Sequence, residues 1–212
     1  MSDFRFPLRV EKLRKRLAQD NLDAIFISNT ENRRYISGFE SSAGYLLLTE
    51  KDAVICTDFR YTEQASQQAP GWRINRIGGK PDWLAALVNE LKITTLGFEA
   101  DDMTVDTLDR FRKSLKNNNA DPTLRATSSI CMELRASKDD VELALLQHAI
   151  DIGDQAFEET AKQLEVGMTE KEAAWIFEQA VRERGAESIS FPTIVAVGAN
   201  AARPHHSTGD TK

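Results

Sequence analysis

Short apolar runs alternate with helix-forming segments over the first 120 residues, and this alternation limits the possible folds more than any other feature of the sequence. Leu8, Leu13 and Leu17 lie at near-helical spacing, and the run LDAIFIS that follows is typical of a buried strand. The runs GYLLLTE and AVICTD flank Lys51-Asp52, which predicts a hairpin with a two-residue turn. Strands are also predicted in WRINRIG and TTLGFEA, each followed by a helical segment. The alternation predicts an α/β fold, a mixed sheet covered by helices.

The pattern changes after about residue 120. Residues 123–129 are polar and predict an irregular segment, and the S-x-x-D spacing of Ser137 and Asp140 predicts the start of a long amphipathic helix. We therefore place a domain boundary here, between a first domain of residues 1–136 and a second region of residues 137–212.

A second helix and a strand are predicted after the long helix. The T-x-x-E spacing of Thr169 and Glu172 predicts the start of this second helix, and Gly185 predicts its end. The run SISFPTIVAVG that follows is apolar enough for a covered strand.

Composition and charge exclude several classes of protein. The 212 residues are 41% hydrophobic and 28% charged, with a net charge of −6, and basic residues are interleaved with acidic ones, which disfavours nucleic acid as a partner. No run approaches the roughly 20 apolar residues of a membrane span, and residues 1–7 lack the apolar stretch of a signal peptide, so we expect a cytoplasmic protein and no membrane partner. Cys56 and Cys131 lie far apart without CxxC spacing, so we expect two reduced core thiols.

Two adjacent histidines, His205 and His206, lie near the end of the chain in NAARPHHSTGDTK. Consecutive side chains of an extended segment point to opposite faces, so the two cannot easily bind one metal together. H-E-x-x-H and the glycine-rich nucleotide motifs are absent, and no G-x-S-x-G elbow supports a Ser-His-Asp site. His148 lies among leucines on a predicted amphipathic helix, where we expect it to pack.

Three longer segments, taken in order, point to a family. They are NRRYISGFESSAGYLLLTEKDAVICTDFRYTEQA, ELRASKDDVELALLQHA and ISFPTIVAVGANAARPHH. The first resembles the N-terminal domain of the aminopeptidase P, prolidase and creatinase family, the pita-bread metallopeptidases. The second resembles that family's interdomain junction, although Leu146 and Gln147 depart from its basic-rich pattern. The third resembles the segment where an apolar strand and a G-x-N-x-x-x-x-H turn deliver a substrate-binding histidine, and His205 is the matching position.

This resemblance implies a metal-dependent Xaa-Pro aminopeptidase or prolidase, which hydrolyses the bond preceding proline in a peptide substrate and assembles as a homodimer. In the family, two divalent metal ions (manganese, cobalt or zinc), held by two aspartates, a histidine and two glutamates, activate a bridging water. His205 would contact the substrate and the charge that develops on its carbonyl oxygen. Phe191 and His206 would contribute to substrate binding, with plain core packing as the alternative for Phe191.

The sequence departs from the family after the histidines. The family's aspartate pair follows the histidine turn, whereas Asp210 is the only carboxylate after His206. We therefore expect the N-terminal portion of such a peptidase, with the opening helices and strand of an incomplete α+β pita-bread domain, apolar faces uncovered after residue 137, no bound metal and no activity alone. Two alternatives stay open: a non-catalytic interaction or dimerisation module of the same fold, and a complete, unrelated small α/β hydrolase.

Overall fold

The computed structural model describes residues 5–212, which form two compact units. The first unit ends at Ser137, and the second runs from Lys138 to Lys212. Residues 1–4, part of the stretch without a signal-peptide pattern, lie outside the described residues. No helix within residues 5–212 is both long enough and apolar enough to cross a membrane.

The first unit is built on a sheet of six strands. The strands are β1 (Ala24–Ile27), β2 (Tyr45–Thr49), β3 (Ala53–Thr57), β4 (Arg73–Arg76), β5 (Thr95–Glu99) and β6 (Thr123–Thr127). Their order in the sheet is β4-β3-β2-β1-β5-β6. β2 is antiparallel to both of its neighbours, whereas β1 pairs with β5, β5 with β6 and β3 with β4 in parallel. The sheet is therefore mixed, as the sequence predicts.

Helices cover both faces of this sheet. They are α1 (Phe6–Gln19), α2 (Thr30–Ser37), α3 (Thr62–Gln68), α4 (Asp82–Glu90), α5 (Val105–Asn117) and α6 (Ile130–Ala136). Successive side chains of β1 alternate between the faces: Ile25 and Ile27 pack with α1, α2, α3 and α6, whereas Phe26 packs with α4 and α5. All four residues of β1 are buried, which explains why its sequence is a continuous apolar run.

Three local predictions for the first unit were wrong or incomplete. Residues 123–129 are not irregular, because 123–127 form β6, an edge strand whose residues are exposed or half-buried and so need not be apolar. The short helices α2 and α6 were not predicted. The hairpin turn is Glu50-Lys51, one residue earlier than expected, because Thr49 N donates to the carbonyl oxygen of Asp52 at 2.9 Å.

The second unit contains two helices, α7 (Asp140–Gln163) and α8 (Glu170–Glu183), and a 3₁₀ turn over Gly198–Ala202. The two helices pack through small and branched side chains, which are Ile152, Ala156, Ala180 and Val181. The predicted capping box at Thr169 and Glu172 is confirmed. The cap of α7 is Asp139 rather than Ser137, because the Asp139 side chain accepts from Glu142 N at 2.9 Å and Glu142 bonds back to it.

The prediction of a strand in SISFPTIVAVG is wrong. Residues 188–197 belong to no strand, because no strand of the described chain pairs with them. A side chain replaces a strand partner: Thr208 Oγ1 accepts from Val195 N at 2.9 Å and donates to the carbonyl oxygen of Thr193 at 2.8 Å. The segment is therefore tied down by a hydroxyl group rather than by a β ladder.

Large apolar side chains of the second unit remain exposed. They include Leu143, Leu145, Leu146, Ile150, Phe157, Leu164, Val166, Trp175, Phe191, Ile194 and Val197. His148 is exposed among them, so the expectation that it packs was wrong. The amphipathic pattern around His148 predicted the helix correctly, but that face of α7 is not covered within residues 5–212.

Candidate functional site

The two adjacent histidines lie in different environments. The Nε2 atom of His206 is 2.7 Å from Oε2 of Glu170, and the His206 and Glu170 side chains are 9% and 0% exposed. His205 is exposed, and its side chain makes no hydrogen bond or ion pair within the described part of the chain. The two side chains therefore have different surroundings, and the backbone here is a turn rather than the extended segment expected from the sequence, because His206 N donates to the carbonyl oxygen of Arg203 at 3.2 Å.

Glu170, the first residue of α8, is the centre of this arrangement. Besides His206, its carboxylate accepts from Gly209 N at 2.9 Å, from Val197 N at 3.0 Å and from Asn200 Nδ2 at 2.9 Å. These donors lie on both sides of His205 in the sequence. One buried carboxylate therefore fixes the segment before and after the exposed histidine.

The backbone at the start of α8 adds two further bonds to the same segment. Glu170 N donates to the carbonyl oxygen of Thr211 at 3.0 Å, and Lys171 N donates to that of Gly209 at 3.1 Å. The first N–H groups of a helix have no partner inside the helix, so the segment satisfies groups that would otherwise need water. Lys171 Nζ also forms an ion pair with Asp210 at 3.0 Å.

The charge on Glu170 is favoured by these contacts. The hydrogen bond from His206, followed by the bond from Asn200 and the two backbone N–H groups, lowers the pKa of Glu170 from 4.5 to about 2. A position in the first turn of α8 also favours a negative charge, because the helix dipole is positive there. Glu170 is therefore ionised at neutral pH and remains an acceptor for all its donors.

Phe191 lies on the same segment and is 69% exposed. The alternative of core packing for Phe191 therefore does not hold within residues 5–212. Two residues later, Thr193 Oγ1 donates to Glu178 Oε1 of α8 at 2.8 Å, which ties this part of the segment to the helix as well. Phe191 and His205 are thus exposed side chains on a segment that α8 holds at several points.

Sequence reasoning singled out His205, His206 and Phe191 but missed Glu170. The capping box at Thr169 and Glu172 predicted the start of α8, and an acidic residue in the first turn needs no further explanation than the helix dipole. No local pattern shows that this carboxylate accepts bonds from residues 27 to 39 positions later.

The described residues do not fit a metal centre. Across residues 5–212, no three or more His, Cys, Asp or Glu side chains are grouped so that they could hold a metal ion. The ligand set implied by the family resemblance, two aspartates, a histidine and two glutamates, is therefore not assembled from these residues.

Comparison with known proteins gives two family matches that together cover most of the chain. Residues 9–137 match the creatinase/prolidase N-terminal domain, and residues 144–212 match metallopeptidase family M24. The uncharacterized peptidase YqhT of Bacillus subtilis (strain 168) is 33% identical over 204 residues, which are 96% of this chain and 57% of that protein.

Solved structures give the same result. An Xaa-Pro dipeptidase from Bacillus anthracis superposes with a TM-score of 0.90 at 35% identity, over 97% of this chain and 57% of that one. An X-Pro aminopeptidase from Thermotoga maritima MSB8 superposes with a TM-score of 0.84 at 32% identity, over 96% of this chain and 56% of that one. The chain thus spans somewhat more than half the length of each of these relatives.

Proposed function

We propose that this chain, which belongs to the creatinase/prolidase family of metallopeptidases, contributes the N-terminal domain and the first part of the catalytic domain to a peptidase that cleaves the bond preceding proline. The observation that carries the proposal is the M24 match over residues 144–212, which includes the segment of His205. The imide nitrogen before proline has no N–H and the ring fixes φ, so a peptidase that reads an extended backbone is poorly suited to this bond. A dedicated site is needed, and the relatives named for Xaa-Pro substrates support its presence here.

The side chains of the candidate site suggest a division of roles. His205 is exposed on a fixed segment and would donate a hydrogen bond to the substrate carbonyl oxygen as negative charge develops there. Phe191, also exposed, would form one wall of the pocket for the proline ring. His206 has its Nε2 atom engaged by Glu170, so we assign it to holding the segment rather than to touching the substrate.

The proposal extends to the metal ions and to assembly. In this family of metallopeptidases, divalent cations would supply the activated water, and residues 5–212 do not form their site. We therefore propose that the 212 residues neither bind the metals nor hydrolyse a peptide by themselves, and that the full protein is a homodimer.

Metal content and hydrolysis test this proposal together. Metal bound to the 212-residue chain and to the full-length product of its source genome is measured by mass spectrometry, and cleavage of an Xaa-Pro dipeptide and tripeptide is followed with added Mn²⁺. We expect about two metal ions and activity only in the longer protein. Activity in the 212-residue chain would contradict the proposed absence of a metal site, and a stable, inactive full-length dimer would favour an interaction module instead.

A substitution tests the role of His205. In the full-length protein, His205→Gln is expected to lower kcat by about 10²–10³, because a lost donor to a developing oxyanion typically costs that factor. Lys15→Gln, at an exposed residue of α1 in the first unit, is the control and should leave kcat unchanged. Equal effects of the two substitutions would remove His205 from the site.

A further inference from the structure

A cavity of about 520 Å³ opens in the first unit beyond the carboxyl ends of β1 and β5. Ser28, directly after β1, and Asp102 to Thr104, after β5, line it. The strand order runs from β1 towards β4 in one direction and from β5 towards β6 in the other, so the order reverses between β1 and β5. In open α/β sheets, ligands bind outside the carboxyl ends of the strands at such a reversal point.

Arg33 of α2 lines this cavity and is only 2% exposed. Its Nη1 atom donates to Ser41 Oγ at 2.8 Å and its Nη2 atom to Thr30 Oγ1 at 3.0 Å, but its Nε atom has no hydrogen-bond partner. No Asp or Glu of residues 5–212 forms an ion pair with Arg33. Buried arginines are ordinarily in direct contact with an acidic group, whereas the carboxylates that act on Arg33, which are Asp102, Glu99 and Glu31, do so only at a distance. Burial also lowers the pKa of Arg33, as expected for a desolvated cation.

Positively charged side chains that form no ion pair within residues 5–212 line the cavity. Lys80 and Arg110 also line it, and both are exposed without an ion-pair partner in the described chain. The two carboxylates of the lining are already engaged: Asp58 pairs with Arg60 at 2.7 Å, and Asp102 accepts from the two side chains that follow β1. Three cations, Arg33, Lys80 and Arg110, therefore line the cavity without a direct ion pair to the described residues, and Asp102 is the one carboxylate of the lining whose negative charge is not paired directly with a cation.

Aromatic rings form an apolar surface beside these cations. Tyr45, Trp83 and Phe111 line the cavity, with ring centroids 5.6 Å apart for Tyr45 and Trp83 and 5.7 Å apart for Trp83 and Phe111. Gly44 lies between this surface and Arg33, and a Cβ at Gly44 would be 3.2 Å from Nη1 of Arg33. The absence of a side chain at residue 44 thus leaves room for the guanidinium.

We propose that this cavity binds a small organic anion, with its carboxylate or phosphate group at Arg33, Lys80 and Arg110 and its planar or apolar body against Tyr45 and Trp83. The starts of α2 and α5, at Thr30 and Thr104, border the same space and favour a negative group. The cavity volume lies within the range of small-molecule sites in proteins. The inference concerns the first unit alone and does not rest on the proposed peptidase activity.

Amide chemical shifts of the ¹⁵N-labelled 212-residue chain test the inference. The probes are phenyl phosphate and phenylacetate, with benzyl alcohol as the uncharged control. We expect saturable shifts at Gly44, Gly78 and Gly79, which line the cavity, with one or both anions and not with benzyl alcohol. Binding of phenyl phosphate alone would identify a phosphorylated ligand, and binding of phenylacetate alone would identify a carboxylate.

Substitutions of exposed residues test the location without disturbing the core. Lys80→Ala and Arg110→Ala should each weaken binding about two- to five-fold, the range for exposed charge pairs, and the double variant about ten-fold. Lys113→Ala, an exposed residue of α5 that does not line the cavity, removes the same charge and should leave binding unchanged. The proposal is overturned if neither anion binds, if benzyl alcohol binds as well as the anions, or if Lys113→Ala weakens binding as much as the cavity variants.

Discussion

Replacement of Gly44 by alanine should destabilise the first unit by about 2–6 kcal/mol. Gly44 has φ of +139°, a conformation that strains any residue with a side chain and costs roughly 1–3 kcal/mol. A Cβ there would also lie 2.9 Å from the carbonyl oxygen of Cys56. Cys56 pairs with Tyr45 in the ladder between β2 and β3, so that oxygen cannot move without disturbing the sheet. Forced overpacking of this kind costs about 1–3 kcal/mol, and this cost together with the backbone strain gives the expected loss of about 2–6 kcal/mol.

Urea unfolding followed by tryptophan fluorescence measures this change. Trp175 is replaced by phenylalanine in all samples, so that the signal comes from Trp72 and Trp83 of the first unit. With a urea dependence of about 2 kcal/mol per molar, a loss of 2 kcal/mol lowers the midpoint by about 1 M. Gly78→Ala is the control: its Cβ would contact nothing within 4 Å, and φ is not positive, so we expect no loss or a gain of about 0.4–1 kcal/mol. A loss for Gly44→Ala below about 1 kcal/mol would refute the reasoning.

Three further predictions concern buried groups. The folded pKa of Glu170, about 2, lies below its ordinary value of 4.5, so the stability that it contributes is complete above pH 4.5 and lost as pH falls towards 2. An NMR titration of the Glu170 side chain measures this pKa, and Glu170→Gln should remove the corresponding pH dependence of stability. Burial raises the pKa of Cys56 to about 12 and also raises that of Cys131, so a thiol reagent at pH 8 should react with neither until urea unfolds the chain, and rapid reaction of the native chain would contradict their burial. Phe26→Ala should cost about 3–5 kcal/mol in urea unfolding, because Phe26 is 1% exposed and stacks on Tyr45 at 4.8 Å; a loss below 1 kcal/mol would show that the core refills the space.

The sequence predicts those elements of the fold that are buried through apolar side chains. β1 is buried on both faces and therefore appears as an unbroken apolar run. α2 was missed because two of its three buried residues, Arg33 and Ser37, are polar and hide the helical spacing. β6 was missed for the opposite reason, since an edge strand with exposed and half-buried residues needs no apolar pattern. In SISFPTIVAVG the composition is that of a strand, but composition cannot show whether a second strand lies beside it.

Part of the candidate site can be predicted from the local sequence, and part depends on contacts with residues that are distant in the sequence. The motif around His205 and His206 identifies both histidines, but the alternation expected for an extended segment does not apply, because residues 204–205 form a turn. His206 is held by Glu170, whose carboxylate oxygens also accept hydrogen bonds from Val197 N and Gly209 N, which lie 27 and 39 residues later in the sequence. Because Glu170 binds His206 and both flanks of the segment, the substitution Glu170→Gln should release His206 while α7 stays packed on α8, whose contact lies at Ile152, Ala156, Ala180 and Val181.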